Sequence, residues 1–213
     1  MKLLLTSAGL SNKTIVHGLE SLVNKPFSEL NLAYIPTAAN VETGNKDWLI
    51  DDLVRTKNLG FKTMDIVDIS AVNRDTYKSR LDYADIIMVG GGNTFHLMYW
   101  AQKTGLKEFI KNKIYIGISA GSCIAGPTIY NSVQNLFEEK NEYNQKIGLG
   151  LVNFQFIPHF NSDYFPKIRK EYLAEAAKLV SDSIYACDDQ SAVMINGDAI
   201  EILSEGQSLT FNL

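Results

Sequence analysis

"KIYIGISAGSCIAG", residues 113–126, holds an apolar run, Ile114–Ile118, that stops at Ser119, Ala120 and Gly121. A short apolar run bounded by small residues reads as a buried strand, and Ala120–Ala125 can begin a helix directly after it. Strand, tight turn and helix make up the repeating unit of a parallel sheet covered on both faces. The first half of the chain repeats this pattern. Leu3–Thr6, Leu32–Ile35, Thr63–Val67 and Ile86–Val89 are further buried-strand runs, separated by amphipathic segments such as Lys13–Val23 and Lys46–Lys57. Ala84–Val89 and Tyr115–Ile118 then read as central strands ending at Gly90 and Ser119. The class expected is α/β, with a mostly parallel sheet and helices on both faces.

The pattern changes after Asp188. "AVMINGDAIEIL" (192–203) sets Asn196-Gly197 between two apolar runs, a strong signal for a two-residue hairpin. "SEGQ" (204–207) turns the chain again into "SLTFNL" (208–213). An antiparallel meander at the end of a parallel sheet fits one mixed α/β domain over residues 1–213, and no repeat, low-complexity segment or linker divides the chain. The least regular stretch, "YNSVQNLFEEKNEYNQK" (130–146), is polar and tyrosine-containing and reads as a loop beside a site.

Composition narrows the function. Of 213 residues, 46% are hydrophobic and 21% charged, as in a globular protein. The net charge is −4 with no basic run, which disfavours a nucleic-acid partner. No apolar stretch approaches the length of a membrane span. The opening Met1–Ser7 has only three consecutive leucines, too few for a signal-peptide core and suited to a first strand. Cys123 and Cys187 form neither a metal spacing nor a disulfide framework. They read as small core residues of a protein in a reducing cytoplasm. The three histidines are scattered, so neither a metal nor another cofactor is expected.

Gly117-Ile118-Ser119-Ala120-Gly121 matches Gly-x-Ser-x-Gly at a strand tip. Such a turn is strained and crowded, hence its glycines, and it exposes the serine hydroxyl at the start of a helix whose N–H groups face it. The ordinary alternative is a tight turn that merely packs helix on sheet. Ser122 is a competing hydroxyl one turn into the helix. Ligands of open parallel sheets sit beyond the carboxyl ends of the strands, where "MVGGGNTFHL" (88–97) should join Ser119. Phe95 stands where Gly-x-Gly-x-x-Gly requires its last glycine, and no Gly-Lys-Ser/Thr follows, so a nucleotide loop is disfavoured. An oxyanion hole explains the glycines better. Of the histidines, His17 lies within a helix pattern, and His96 lies just inside the helix after the glycines. His159 follows "FQFIP" at a strand tip, as Ser119 does, and is the leading base candidate.

"YIPTAAN" (34–40), "VGGGNTFHL" (89–97), "GISAGS" (117–122) and "IPHF" (157–160), in this order, resemble the peptidase E, or aspartyl dipeptidase, family of serine peptidases, with cyanophycinases as more distant relatives. The resemblance implies a flavodoxin-like sheet of the class I glutamine amidotransferase type and hydrolysis of short peptides bearing an N-terminal aspartate. It implies Ser119 as nucleophile, His159 as base, and Gly92 and Ala120 as backbone donors of the oxyanion hole. Arg169 resembles the family's arginine for the acidic side chain, its alternative being solvation of a helix start. One departure matters. The enterobacterial members carry a catalytic aspartate soon after the elbow, and Tyr130–Asn135 contains no acid. The cyanophycinase-like pattern, an acidic pair before a small-residue strand, is similar to "ACDDQSAVMI" (186–195) and points to Asp189. Asp188, Glu138, Glu139 or no acid at all are the alternatives.

The activity expected is therefore that of a serine dipeptidase acting on a small peptide, as a monomer or homodimer. Its rivals are a broader esterase or amidase using the same serine and histidine, and a non-catalytic sensor whose glycine loop binds a small anion.

Overall fold

Leu3 and Leu5 are buried in one hydrophobic cluster and Leu4 in another, and the same split recurs at Ala33 and Ile35 against Leu32 and Tyr34. Alternate side chains of a strand leave opposite faces, so a sheet apolar on both faces must be covered on both. The computed structural model describes the backbone of all 213 residues and the side chains of all but Tyr130, Asn131 and Ser132.

The first part of the chain alternates strand and helix: β1 (Lys2–Thr6), α1 (Lys13–Leu22), β2 (Asn31–Ile35), α2 (Asp47–Asn58), β3 (Thr63–Ile66), α3 (Arg74–Tyr83), β4 (Ile86–Val89), α4 (Thr94–Thr104), α5 (Leu106–Ile110), β5 (Ile114–Ile118) and α6 (Ala120–Cys123). After α7 (Tyr130–Leu136) come β6 (Phe154–Ile157), α8 (Lys170–Ala177), β7 (Ser183–Cys187), β8 (Ser191–Asn196), β9 (Ala199–Ser204) and β10 (Ser208–Phe211). A seven-stranded sheet runs in the order β3-β2-β4-β5-β1-β8-β9, its first five strands parallel and β8 and β9 antiparallel. Ile15, Leu19 and Leu22 of α1 fill one face, and Leu81, Phe95, Leu97, Ile110 and Ile124 from α3 to α6 fill the other. Each such side chain contributes about 1.5–3 kcal/mol by leaving water.

The C-terminal antiparallel strands divide between two sheets. β8 and β9 form the hairpin on β1, but β10 leaves that sheet and pairs with β7, which pairs in parallel with β6. The hairpin turn also sits one residue later than Asn196-Gly197. Asn196 is the last paired residue, opposite Ala199, and Gly197 at φ 64° and Asp198 make the loop. Gly197 takes the positive φ that Asn196 would have had to share.

The stretch read as a loop at 130–146 begins with the short helix α7 and is irregular only from Phe137 onward. The side chains of its first three residues lie outside the described residues.

Candidate active site

Ser119 sits between β5 and α6 at φ 49° and ψ −109°, a conformation that costs a non-glycine residue of order 1–3 kcal/mol. Its surroundings hold it there. The Ser119 N–H donates to the Thr6 carbonyl at the end of β1 (3.0 Å), and its own carbonyl accepts from the N–H groups of Ser122 and Cys123. The flanking glycines are a packing requirement: a Cβ on Gly121 would lie 2.1 Å from the Val89 carbonyl oxygen, and one on Gly117 would lie 2.7 Å from the Ser122 nitrogen. Ser122 faces inward. It is fully buried, its Oγ donating to the Thr6 carbonyl and accepting from the Thr6 N–H, so it ties α6 to β1.

His159 follows β6 at φ 63°. Its N–H donates to Ser7 Oγ (3.1 Å), and Ser7 Oγ donates to the Cys187 carbonyl (2.8 Å). Ser7, buried at the tip of β1, thus joins the ends of β1, β6 and β7; a serine after a strand carries no sequence signal of that role. The His159 imidazole lies between two groups: Nε2 is 3.0 Å from Ser119 Oγ, and Nδ1 is 2.6 Å from Asp189 Oδ1. An ionised carboxylate only accepts, so Nδ1 carries the proton and Nε2 is left to accept from the serine hydroxyl. Phe165 stacks on the ring, centroids 4.7 Å apart.

The other acids go elsewhere. Asp188 accepts from Gln190 N–H and Ser191 Oγ in the β7–β8 turn and from Gln207 N–H in the β9–β10 connection, tying the two together. Glu138 pairs with Lys167 at 2.5 Å. Glu139 accepts from the N–H groups of Thr94 and Phe95 at the start of α4.

Gly91 packs on Ser119: a Cβ there would lie 3.2 Å from the serine Cβ. Gly92 stands at φ 123° with a would-be Cβ 2.3 Å from the Ala38 carbonyl oxygen, so only glycine fits. Among the described residues, the N–H groups of Gly92 and Ala120 have no acceptor. Arg169 Nη1 donates to the carbonyls of Ser162, Phe165 and Ile168, and Nη2 lies 3.9 Å from the exposed Asp163 carboxylate. The structure brings Ser119, His159 and Asp189 into one hydrogen-bonded line; it joins Arg169 to the loop after His159 and records no bond from it to that line.

The remaining candidates are accounted for. His17 is exposed on α1. His96 is buried, bonds Tyr143 Oη through Nδ1 at 2.7 Å, and has its pKa lowered by burial. Both cysteines are buried free thiols, and burial pushes Cys187 up to about 12 and raises Cys123 further. Neither is a reactive thiolate. Among the described residues, no group of three or more His, Cys, Asp or Glu side chains could hold a metal ion, and no helix is long and apolar enough to cross a membrane.

The sequence pattern of peptidase family S51 matches residues 3–203. This chain belongs to that family. As a member of peptidase family S51 it is a hydrolase of peptide bonds. Among its relatives, the uncharacterized peptidase Lmo0363 of Listeria monocytogenes is 30% identical over 183 residues, covering 79% of this chain and 83% of that protein. Peptidase E of a Nostoc species is 31% identical over 172 residues, 77% of this chain and 66% of that protein. A crystal structure from Listeria monocytogenes matches 96% of this chain and 98% of its own at a TM-score of 0.79 and 24% identity. That of a peptidase from an acI-B1 Actinobacterium matches 99% and 96% at 0.60 and 19%. These two likenesses show that the chain shares their α/β fold.

Proposed function

We propose that this S51 peptidase is a serine dipeptidase that cleaves Asp-X peptides through an acyl-enzyme on Ser119. The observation that carries the reading is the unbroken line from Ser119 Oγ through the His159 ring to Asp189 Oδ1, at 3.0 and 2.6 Å. His159 Nε2 takes the serine proton as Oγ attacks the peptide carbonyl, then returns it to the leaving amine. Water enters with the same base and frees the acid product. Asp189 holds the ring in the tautomer that leaves Nε2 open and stabilises the imidazolium formed on the way. The N–H groups of Gly92 and Ala120 are free to take the developing oxyanion, and fixed donors of this kind are the larger part of such catalysis.

Arg169 is the cation proposed for the substrate's aspartate side chain, acting through Nη2 while Nη1 fixes the loop. The prior use of Nη1 also favours a second reading, an esterase or amidase of broader specificity that needs Ser119 and His159 but not Arg169. The enzyme is proposed to act as a monomer or a homodimer, and two unpaired buried thiols suit a cytoplasmic location.

The deciding experiment sets Asp-X, Glu-X and Leu-X dipeptides beside simple esters, with fluorophosphonate labelling of Ser119. Labelling together with a strong preference for Asp-X supports the dipeptidase. Equal rates on Asp-X and Leu-X support the broader enzyme, and absence of both turnover and labelling leaves the anion sensor. Arg169→Met should then cost Asp-X hydrolysis roughly 2–5 kcal/mol in kcat/KM, the cost of stranding a charge without its partner, and spare neutral substrates.

A further inference from the structure

Glu139 is a half-buried carboxylate with no cationic side chain beside it among the described residues. It comes from the irregular segment after α7, and both of its recorded hydrogen bonds, from the N–H groups of Thr94 and Phe95, go to the same oxygen, Oε1. Other acids of the fold have different arrangements. Asp52 has Arg55 Nη2 at 2.7 Å, Asp65 has Arg80, Asp68 has Thr37, Asn40 and Ser70, and Asp189 has His159. Even Glu138, next in sequence and exposed, has Lys167. Among the described residues, no lysine, arginine or histidine nitrogen lies within 4.0 Å of Glu139. Burial is the largest influence on its carboxyl and pushes it up to about 7 against the bonds from Thr94 and Phe95.

Its two bonds place it at the start of α4, just after the glycines that face Ser119. Thr94 is two residues beyond Gly92, a reach of at most about 7 Å along the chain, and Gly91 packs on Ser119. On the other side, Glu139 is close enough to Cys123, one turn along α6 from Ser119, to raise its thiol. A peptide with a free N-terminus brings one cation to this neighbourhood, the α-ammonium on the carbon bonded to the carbonyl that Ser119 would attack.

We infer that the Glu139 carboxylate binds the free α-ammonium of the substrate, restricting cleavage to the bond after the first residue. This rests on the proposed peptidase chemistry at Ser119 and adds the residue that reads the N-terminus. Oε1 stays bonded to α4, so the anion is fixed in place, and an arriving ammonium supplies the charge that the protein withholds. A role as an anchor for α4 alone predicts something different. A glutamine would keep both backbone bonds through its amide oxygen and would serve an anchor as well.

The test compares kcat/KM for an Asp-X dipeptide and its N-acetyl form, in the wild type and in Glu139→Gln. The wild type should prefer the free amine by about 30-fold or more, the loss typical of a buried charge deprived of its partner. Glu139→Gln should reduce that preference to about threefold while changing N-acetyl hydrolysis little. A preference unchanged in Glu139→Gln, or equal losses on both substrates, overturns the inference and leaves Glu139 as the anchor of α4. The wild-type comparison needs no variant: indifference to acetylation overturns the inference and leaves the peptidase reading standing. A wild type that cleaves neither substrate, or a Ser119→Ala variant that cleaves both normally, overturns the proposed Asp-X chemistry at Ser119 and this inference with it.

Discussion

The Phe165 ring lies flat on the His159 imidazole, with centroids 4.7 Å apart and planes inclined by 19°. Phe165 is held in turn by an edge contact from Phe137 at 5.4 Å, so the segment after α7 and the loop after β6 support the ring together. Hydrogen bonds at both nitrogens fix the imidazole within its plane, and the aromatic wall limits motion out of it. Phe165→Ala should lower kcat about tenfold, in line with the roughly 0.5–1.5 kcal/mol an aromatic pair contributes, and Phe165→Tyr should restore most of it. Steady-state kinetics on an Asp-X dipeptide measures both. Full activity in Phe165→Ala would mean that the aromatic wall does not orient His159.

Ser119→Ala should abolish turnover, on the order of a millionfold where a serine triad is disabled, and leave the fold intact because one small hydroxyl is lost. His159→Ala should cost a similar amount, and the double variant little more, since both serve one step. Ser122→Ala has the opposite profile. It removes two buried bonds to Thr6, so it should lower stability by about 1–3 kcal/mol with turnover largely kept. Urea unfolding beside kinetics separates the two serines; loss of activity at Ser122 with retention at Ser119 would reverse the assignment.

The adjacent aspartates should separate in the same way. Asp189→Asn keeps the shape and favours the wrong tautomer of His159, a change that costs about ten-thousandfold in a serine protease. Asp188→Asn weakens the three bonds that tie the β7–β8 turn to the β9–β10 connection, so its cost should fall on stability, with kcat nearly normal. Equal kcat in Asp189→Asn and the wild type would leave Ser119 and His159 as a dyad.

What the sequence made legible follows from where its signals are local. β4 and β5 run over the residues that the apolar runs mark, because a strand buried on both faces must be continuously apolar and small residues must stop it. The strand tips bearing Ser119 and His159 are readable for the same reason. The choice among Asp188, Asp189, Glu138 and Glu139 is not local. It depends on which carboxylate the β7–β8 turn uses internally and on where a segment some 20 residues before His159 folds back. Ser7 and Phe165 are illegible likewise, since their partners lie across the fold. β10 reads as a strand, but nothing in "SLTFNL" says that it pairs with β7 instead of β9.

Glu139 makes the stability of the fold depend on pH. Its carboxyl titrates near 7 in the folded protein against an ordinary 4.5, because burial penalises the anion more than the bonds from Thr94 and Phe95 favour it. Between those values the folded chain holds a proton that the unfolded chain has released. Stability must therefore fall as pH rises through this window. The contribution is complete below about pH 4.5 and gone above about pH 7. At about 1.4 kcal/mol for each unit of separation, the loss is of order 3 kcal/mol. Other groups titrate in the same range, so the informative quantity is the difference between the wild type and Glu139→Gln. Glutamine keeps an acceptor for both N–H groups of α4 and has no proton to lose. Urea unfolding at pH 5 and pH 8 should show the wild type losing about 2–3 kcal/mol more than the variant. Parallel losses would mean that the Glu139 carboxyl is already ionised at pH 5, and a smaller loss in the wild type would mean that its anion has a cationic partner in the folded protein.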